Sequence, residues 1–281
     1  MSKPDAVTVT DAGPADTARN TLEYLSGKVR RASGEVLVLA LLAGAYIAFG
    51  AIAFLVTGAG GDGFAGTRVL AGGLAFSVGL ILVVVAGAEL FTGDTLLVVK
   101  RLRGSLDRGT MWRFWALVYA GNLVGALAVA LLFVAAGGHA AGDGAVGLYA
   151  LEVGQDKTTK GPGALFASGI LANMLVCLAV WAAQAAGSVQ GKILAIVGPI
   201  GVFVAAGLEH SVANMSILPI ALLVKALAPQ DFWATAGAAP ADFAALTVGG
   251  ALLNLGLSTL GNIVGGAAIG LAYWYAYLRG R

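Results

Sequence analysis

The sequence predicts an all-α membrane protein: six membrane-crossing segments arranged as two repeats of three, with the second and fifth segments broken. The membrane class follows from composition, because 58% of the 281 residues are hydrophobic and 11% are charged, whereas a soluble domain carries about 25% charged residues. The breaks follow from polar clusters inside two overlong apolar runs. The repeats follow from two motifs that recur in the same order in both halves.

Six apolar segments follow one another along the chain. They cover residues 36–57, 69–99, 114–136, 164–186, 193–227 and 243–278. Because about 20 residues cross the hydrocarbon core of a bilayer, each segment is long enough for one span, and the last extends past the membrane. The second and fifth segments are too long for one straight span and contain polar residues, which predicts helices broken near the midplane.

Lysine and arginine are distributed unevenly over the predicted connections. If the N-terminus lies in the cytoplasm and each segment crosses once, 13 of the 17 basic residues lie on the inside. Cytoplasmic connections of membrane proteins carry such an excess. We therefore expect a multi-pass protein of the inner (cytoplasmic) membrane with both termini in the cytoplasm.

Two domains are predicted. Residues 1–31 are polar and are expected to form a cytoplasmic tail that ends in an amphipathic helix over Thr17–Arg31. Residues 32–281 are expected to form a transmembrane channel domain, with repeat one at about 32–137 and repeat two at about 161–281. No short apolar stretch with a cleavage site begins the sequence, so no signal peptide is expected.

The internal repeat depends on two motif pairs. The sequence Gly-Asn-Leu-Val-Gly at residues 121–125 recurs as Gly-Asn-Ile-Val-Gly at residues 261–265. The polar stretch 87–94 aligns with 207–214, with Gly, Glu and Asp or Asn at equal offsets. Because each half has an odd number of segments, the second half is predicted to be inverted, and such repeats place a transport site between their broken helices.

The second break carries Glu209 and His210 inside an apolar run. A charged side chain costs about 2.5–3.5 kcal/mol at the centre of a bilayer, so this cluster predicts a functional site. His210 titrates near neutrality and is expected to line the path as a proton donor or a pH-sensitive gate. Glu209 either lines the path or caps free amides of the next half-helix. For Glu89, in the first break, the capping role is favoured.

Thr92 lies in the first break, and its hydroxyl is expected either to face His210 across the repeat axis or to bond to its own helix. The half-helices are predicted to restart near Thr95 and Asn214. Amide groups at helix N-termini carry partial positive charge, so the midplane favours an anion.

Bulky apolar residues flank the breaks. Phe76 and Leu80 share a helix face, and Phe203 precedes the second break by two helical turns. These side chains either pack in the core or form dry constrictions that strip water from a permeant.

Lys157 and Lys160 lie in the outer connection that precedes the fourth segment. Spacing alone favours solvated loop charges. An inward-pointing Lys157 that attracts anions to the pore is the alternative.

Several other functions are disfavoured. The single Cys177 excludes an internal disulfide, no metal site or cofactor is expected, and the net charge of +2 does not indicate nucleic-acid binding. A water or glycerol channel would call for paired Asn-Pro-Ala signatures, whereas residues 213–215 read Ala-Asn-Met. An intramembrane hydrolase using Ser211 and His210 stays open, although adjacent residues are poorly placed to bond. A non-transporting sensor also stays open.

Two stretches resemble the formate/nitrite transporter family, whose members include formate, nitrite and hydrosulfide channels. They are Gly-Leu-Glu-His-Ser-Val-Ala-Asn-Met at residues 207–215 and Ala-Glu-Leu-Phe-Thr-Gly at 88–93. The likeness extends through residues 169–181 and 261–266 and covers residues 20–280 in all. It implies an aquaporin-like protomer with its own pore, five protomers forming a symmetric homopentamer.

The resemblance also implies roles for individual residues. The family's pore histidine is matched by His210, the threonine of its first break by Thr92, and the lysine before its fourth helix by Lys157, which replaces the solvated interpretation. Further polar residues on the pore side are matched by Asn173, Glu209 and Asn214. The hydrophobic constrictions are matched by Phe76, Leu80, Leu90, Phe91, Val176 and Phe203. Leu208 departs from the aromatic residue that formate and nitrite channels carry before the glutamate, and Asp94 departs from the formate-channel pattern.

We therefore expect a non-enzymatic channel or transporter for small monovalent anions of weak acids, formate first, with nitrite and hydrosulfide as alternatives. Lys157 and the helix amides would draw the anion into a funnel, where the low dielectric raises its proton affinity. A proton from His210, or from water relayed near it, would let the anion cross the constriction in neutral form.

Overall fold

The computed structural model describes residues 10–59 and 65–280, and within these ranges every regular element is helical. Twelve α-helices follow in chain order: α1 (Pro14–Val29), α2 (Ser33–Gly58), α3 (Ala65–Leu82), α4 (Phe91–Asp94), α5 (Val98–Leu102), α6 (Arg108–Ala135), α7 (Ala145–Thr159), α8 (Pro162–Ala183), α9 (Val189–Ala205), α10 (Ser211–Leu227), α11 (Gln230–Ala236) and α12 (Val248–Tyr273). An apolar chain in lipid forms helices because each helix satisfies its own backbone hydrogen bonds.

The membrane spans agree with the predicted segments except at the second, whose crossing helix ends at Gly87 rather than at residue 99, and at the fifth. Among the described residues, five helical stretches are long and apolar enough to cross a membrane: Ser33–Gly58, Gly66–Gly87, Arg108–Ala135, Pro162–Ala183 and Pro240–Leu278. A sixth results if α10 and α11, which are bent by 109°, count as one span. The fifth predicted segment is divided into α9 and α10, each of 17 residues, so no single straight helix crosses there.

Both predicted breaks are present, and their geometry is similar. The chain leaves α3 through a wide helical turn, Val83–Gly87, and becomes extended before α4 begins at Phe91. In the second half it leaves α9 and restarts at Ser211. The glycines at equivalent positions both have positive φ, 84° at Gly87 and 60° at Gly207, a conformation that glycine adopts without strain.

The predicted restart points were wrong by a few residues. The half-helices begin at Phe91 and Ser211, not near Thr95 and Asn214. Each half-helix therefore begins three or four residues earlier than predicted. Amide side chains from other helices satisfy the first backbone N–H groups, as described below.

The two halves pack in the same way. Helix α6 lies along α2 in the first half, and α12 lies along α8 in the second. A Cβ atom at Gly125 would collide with the carbonyl oxygen of Leu41, and one at Gly265 would collide with that of Ile170. Small residues at these equivalent positions let the paired helices approach closely, as is common in membranes.

Each half is preceded by a shorter helix that lies against its break. Helix α1 corresponds to the amphipathic helix predicted over Thr17–Arg31, with Thr17, Leu25 and Lys28 on its buried face. Helix α7 was not predicted, because the connection that contains it was interpreted only as a polar loop. These two helices supply the cations of the site.

Candidate functional site

Asn122 forms hydrogen bonds that hold the first break against the helices around it. Its side-chain Oδ1 accepts a hydrogen bond from the Phe91 N–H at 2.9 Å. Its Nδ2 donates to the carbonyl oxygens of Ala40 at 2.8 Å and Glu89 at 2.9 Å. One buried amide therefore satisfies both the end of the extended segment and the start of α4, which makes it the cap that sequence analysis assigned to Glu89.

Asn262 does the same in the second half. Its Oδ1 accepts from the Ser211 N–H at 2.8 Å, and its Nδ2 donates to the carbonyl oxygens of Gly169 at 2.7 Å and Glu209 at 3.0 Å. Asn122 and Asn262 occupy the same position of the repeated Gly-Asn-x-Val-Gly motif. The Gly-Asn-x-Val-Gly motif therefore holds the polar stretches 87–94 and 207–214 in their conformations.

The two breaks meet at His210 and Thr92, which are both buried. The His210 Nε2 atom lies 2.8 Å from the Thr92 Oγ1 atom, so the structure brings together the two residues expected to face each other. His210 is also the N-cap of α10, because its Nδ1 accepts a hydrogen bond from the Ala213 N–H at 3.1 Å.

That cap assigns the protonation state of the imidazole. A ring nitrogen that accepts from a backbone N–H carries no proton itself, so the proton of the neutral ring is on Nε2. The ring then donates to the Thr92 hydroxyl. A second proton on Nδ1 would face the Ala213 N–H and break the cap, so the geometry favours neutral His210.

Glu209 lies in a buried cluster with two lysine ammonium groups and two uncharged asparagine side chains. Its carboxylate oxygens are 3.0 Å from Lys157 Nζ and 2.6 Å from Lys160 Nζ. Asn214 Nδ2 donates to the carboxylate at 2.7 Å and Asn254 Nδ2 at 3.1 Å. The Glu209 carboxylate therefore pairs with cations and amide side chains rather than with free backbone amides, and Lys160 is an ion-paired, partly exposed charge rather than a free loop charge. Asn254 was not singled out, because nothing in its local sequence marks it.

Lys157 belongs to α7, outside the membrane-spanning helices. Burial lowers the pKa of its ammonium below the ordinary value, and the neighbouring Glu209 carboxylate opposes that change. A buried ammonium is penalised because it loses its hydration, whereas a nearby carboxylate favours it.

Glu89 lies in a comparable cluster at the first break, which sequence analysis did not predict. Lys28 Nζ, from α1, lies 2.6 Å from Glu89 Oε2 and 2.6 Å from Asp94 Oδ1. Arg31 pairs with the other Glu89 oxygen. Arg31 follows Lys28 by three positions, as Lys160 follows Lys157, and each pair lies at the C-terminal end of the helix that precedes its half, with the second cation just beyond the helix.

Asn173 links the breaks from α8. Its Nδ2 donates to the Asn262 carbonyl oxygen at 2.6 Å, to Thr95 Oγ1 at 3.0 Å and to the Thr92 carbonyl oxygen at 3.2 Å. Its Oδ1 is buried and has no hydrogen-bond partner among the described residues. That oxygen is a free acceptor beside the backbone of Thr92.

A cavity of about 280 Å³ opens on the α7 side of the molecule, and Lys157, Lys160, Leu208 and Phe76 are among its lining residues. The rings of Phe76 and Phe203 pack edge-on, with centroids 5.6 Å apart, and Phe203 lies 5.6 Å from the His210 ring. Two phenyl rings therefore connect the cavity wall to the buried histidine.

The other predicted constriction residues are also buried. Phe91 packs edge-on against Tyr119, with ring centroids 5.0 Å apart, and against Trp115 at 6.3 Å. The rest of this group shares a position in the hydrophobic core around the breaks: Leu80, Leu90 and Val176.

A hydrolytic Ser–His pair is not formed. The two His210 ring nitrogens bond to Thr92 and to the Ala213 N–H. The Ser211 hydroxyl has no hydrogen-bond partner among the described residues. The adjacent residues point to different neighbours, so His210 is not placed to activate Ser211.

Comparison with known proteins identifies the family. The model of the family described as "Formate/nitrite transporter" matches residues 15–275. The chain belongs to the formate/nitrite transporter family. It is 39% identical to the formate channel FocA of Escherichia coli K12, over 95% of this chain and 94% of that protein. It is 35% identical to the nitrite transporter NirC of the same strain, over 85% and 82% of the two chains.

A solved structure supports the same family. The structure described as a pentameric formate channel with formate bound has a TM-score of 0.81 and 36% identity, over 88% of this chain and 98% of that one. The formate/nitrite transporter family consists of transport proteins rather than enzymes. This chain is accordingly a multi-pass membrane transport protein, as predicted.

Proposed function

We propose that this protein is a homopentameric channel of the inner membrane for small monovalent anions of weak acids, with formate as the first substrate. The observation that carries the proposal is the buried His210–Thr92 contact beneath a lysine-lined cavity. The likeness to formate channels supports the substrate and the pentamer. Nitrite is the second candidate because of the likeness to a nitrite transporter.

Each protomer has two inverted repeats, of about residues 32–137 and 161–281, after a cytoplasmic region of residues 1–31. The distribution of basic residues supports cytoplasmic termini. Helix α1 then lies at the cytoplasmic end of the pore, and α7 lies at the outer end.

Capture begins at the lysines of the outer cavity. Lys157 and Lys160 outnumber Glu209 in the buried cluster and leave a positive charge at the cavity wall. Asp156 also lines the cavity, but it is exposed, so solvent and salt screen its charge more strongly. A charged cleft with low-dielectric walls raises the local concentration of oppositely charged solutes. The amides of Asn214 and Asn254 position the Glu209 cluster without adding charge. Asn173 bonds instead to the backbone of Thr92 and Asn262.

The anion crosses the phenyl rings as a neutral acid. Leaving water raises the proton affinity of a carboxylate, so formate takes a proton from water in the cavity before it passes Phe76 and Phe203. The hydroxide ion that this transfer leaves behind returns to the solution outside the cavity. Neutral His210 cannot supply this proton, because it would become an imidazolate. His210 and Thr92 instead offer hydrogen bonds to the neutral acid, and Leu80, Leu90, Phe91 and Val176 exclude water beyond them.

The function is tested by flux into proteoliposomes. Formate, nitrite, hydrosulfide, chloride and glycerol are supplied in parallel at two pH values. We expect formate flux that increases at the lower pH, because more of the anion is protonated, and little chloride flux, because chloride stays charged. Glycerol flux, or formate flux no faster than through empty liposomes, would contradict the proposal.

The role of His210 is tested in the same assay with His210→Asn. Losing one hydrogen bond of about 1.4 kcal/mol in the barrier state slows flux about tenfold. The increase at low pH should persist, since the proton comes from water. If His210→Asn conducts but has lost its pH dependence, the histidine is the proton source and the water pathway is wrong.

A further inference from the structure

The two breaks carry a glycine and a buried glutamate at equivalent positions, but they differ in charge at the position five residues after the glutamate. Stretch 87–94 aligns with stretch 207–214, and the alignment places Asp94 opposite Asn214. Both side chains are fully buried. They have nearly the same shape, so the difference between the two positions is one unit of negative charge.

At the α7 end, Asn214 adds no charge. Its Nδ2 donates to the Glu209 carboxylate at 2.7 Å. The buried cluster therefore contains one carboxylate and two ammonium groups, those of Lys157 and Lys160. Its formal charge is +1.

At the α1 end, the ionised Asp94 carboxylate has no N–H group to donate to Glu89. Both carboxylates converge instead on Lys28 Nζ, each at 2.6 Å, and Arg31 completes the pairing with Glu89. Two carboxylates face two cations. The formal charge of this cluster is zero.

The cations of the two clusters are exposed to similar extents, so a difference in burial does not cancel the difference in formal charge. The side chains of Lys28 and Lys157 are 5% and 12% exposed, and those of Arg31 and Lys160 are 39% and 32% exposed. Glu89 and Glu209 are both fully buried. Charges in such positions are screened much less by salt than surface charges, for example the exposed Asp156 beside the outer cavity.

We propose that Asp94 makes the two mouths of the pore electrostatically unequal, so that anions are captured more readily from the α7 end than from the α1 end. The inference rests on the proposed anion-channel function. Asp94 acts through Lys28, whose charge it neutralises, and is therefore a positioning residue that sets the preferred side of entry.

The test compares Asp94→Asn with the wild-type protein in right-side-out and inside-out membrane vesicles. The KM for formate is measured for entry from each face. We expect Asp94→Asn to lower the KM from the α1 face about tenfold, the lower end of the range for electrostatic focusing. The KM from the α7 face should not change. Asn214 shows that an asparagine fits this backbone position, and thermal unfolding checks that the variant is folded.

Two further variants separate charge from structure. Asp94→Glu keeps the carboxylate and should keep the wild-type KM on both faces. Asn214→Asp gives the cluster at the α7 end a second carboxylate, as Asp94 does at the α1 end. It should raise the KM from the α7 face alone. If loosening of α1 were the cause, Asp94→Asn would change the maximal flux in both directions, and that result would overturn the proposal.

The failures of the two proposals are distinguishable. If the wild-type protein conducts formate and Asp94→Asn leaves the KM unchanged on both faces, Asp94 is uncharged or irrelevant to capture, and only this inference is wrong. If the wild-type protein conducts no weak-acid anion from either face, the proposed function is wrong as well.

Discussion

Lys157 holds a positive charge where little water reaches it. Its Nζ atom lies 3.0 Å from Glu209 Oε2, and the ammonium is almost fully buried. Burial moves its pKa below the ordinary value of 10.5 even though Glu209 opposes the change. Lys157 therefore loses its proton at a lower pH than an exposed lysine does, and anion capture from the α7 end should weaken as pH rises through this lowered pKa.

Lys157→Arg tests this pH dependence, because arginine stays protonated throughout the range. We expect the ratio of variant to wild-type formate flux to increase steadily from neutral pH toward 10.5. The matched control is Lys225→Arg, whose native ammonium donates to the carbonyl oxygens of Phe243 and Leu246. Its ratio should stay constant, and a constant ratio for Lys157→Arg would show that the Lys157 charge does not control capture.

At the breaks, the sequence showed which residues are unusual but not which groups they contact. Glu89 and Glu209 were correctly singled out as unusual, but their cations lie 61 and 52 residues earlier in the chain. Such pairings follow from how α1 and α7 fold back on the breaks. The residues around Glu89 do not indicate that a distant helix folds back against it. A helix-capping role was therefore favoured for Glu89.

The packing of paired helices explains part of the glycine content. Gly265 of α12 approaches the backbone of α8 so closely that a Cβ atom would strike the Ile170 carbonyl oxygen. Backbone cannot move aside as a flexible side chain can. The same restriction applies to Gly125 of α6 against Leu41 of α2.

Gly265→Ala should therefore destabilise the protein. Overpacking of this kind costs about 1–3 kcal/mol, and we expect a lower midpoint of thermal unfolding in detergent. Gly256→Ala, on the exposed side of the same helix with nothing within 4 Å of its Cβ position, is the matched control and should unfold as the wild type does. Equal midpoints for the two variants would mean that α8 and α12 accommodate the added methyl group without a loss of stability.

Helices were predictable to different degrees. The long apolar helices were evident because each must satisfy its backbone within the bilayer, whereas α7 was not. Its buried face has one large side chain, Leu151, and otherwise small and medium residues such as Val146, Ala150 and Gly154, which give little periodic contrast. The restarts at Phe91 and Ser211 were missed because Asn122 and Asn262, far away in sequence, supply the caps.

The whole protomer exposes large apolar side chains on several helices. Leu132 of α6 and Leu252 of α12 are 69% and 64% exposed. Such surfaces are covered by lipid or by neighbouring protomers. The proposed pentamer should be observed by native mass spectrometry after mild solubilisation, as five copies of the 28.1 kDa chain. A single stable species of another size would contradict it.

The sequence by itself determined the membrane class, the breaks, the repeat and the family, because these depend on composition and on motifs that are contiguous in the chain. The expectation that Thr92 would lie opposite His210 also came from the sequence. Only the tertiary structure decided which groups share the buried charges: Lys28 and Arg31 with Glu89 and Asp94, Lys157 and Lys160 with Glu209. The physical reason is that a buried charge is stabilised by groups close in space, and folding brings those groups together from distant parts of the chain.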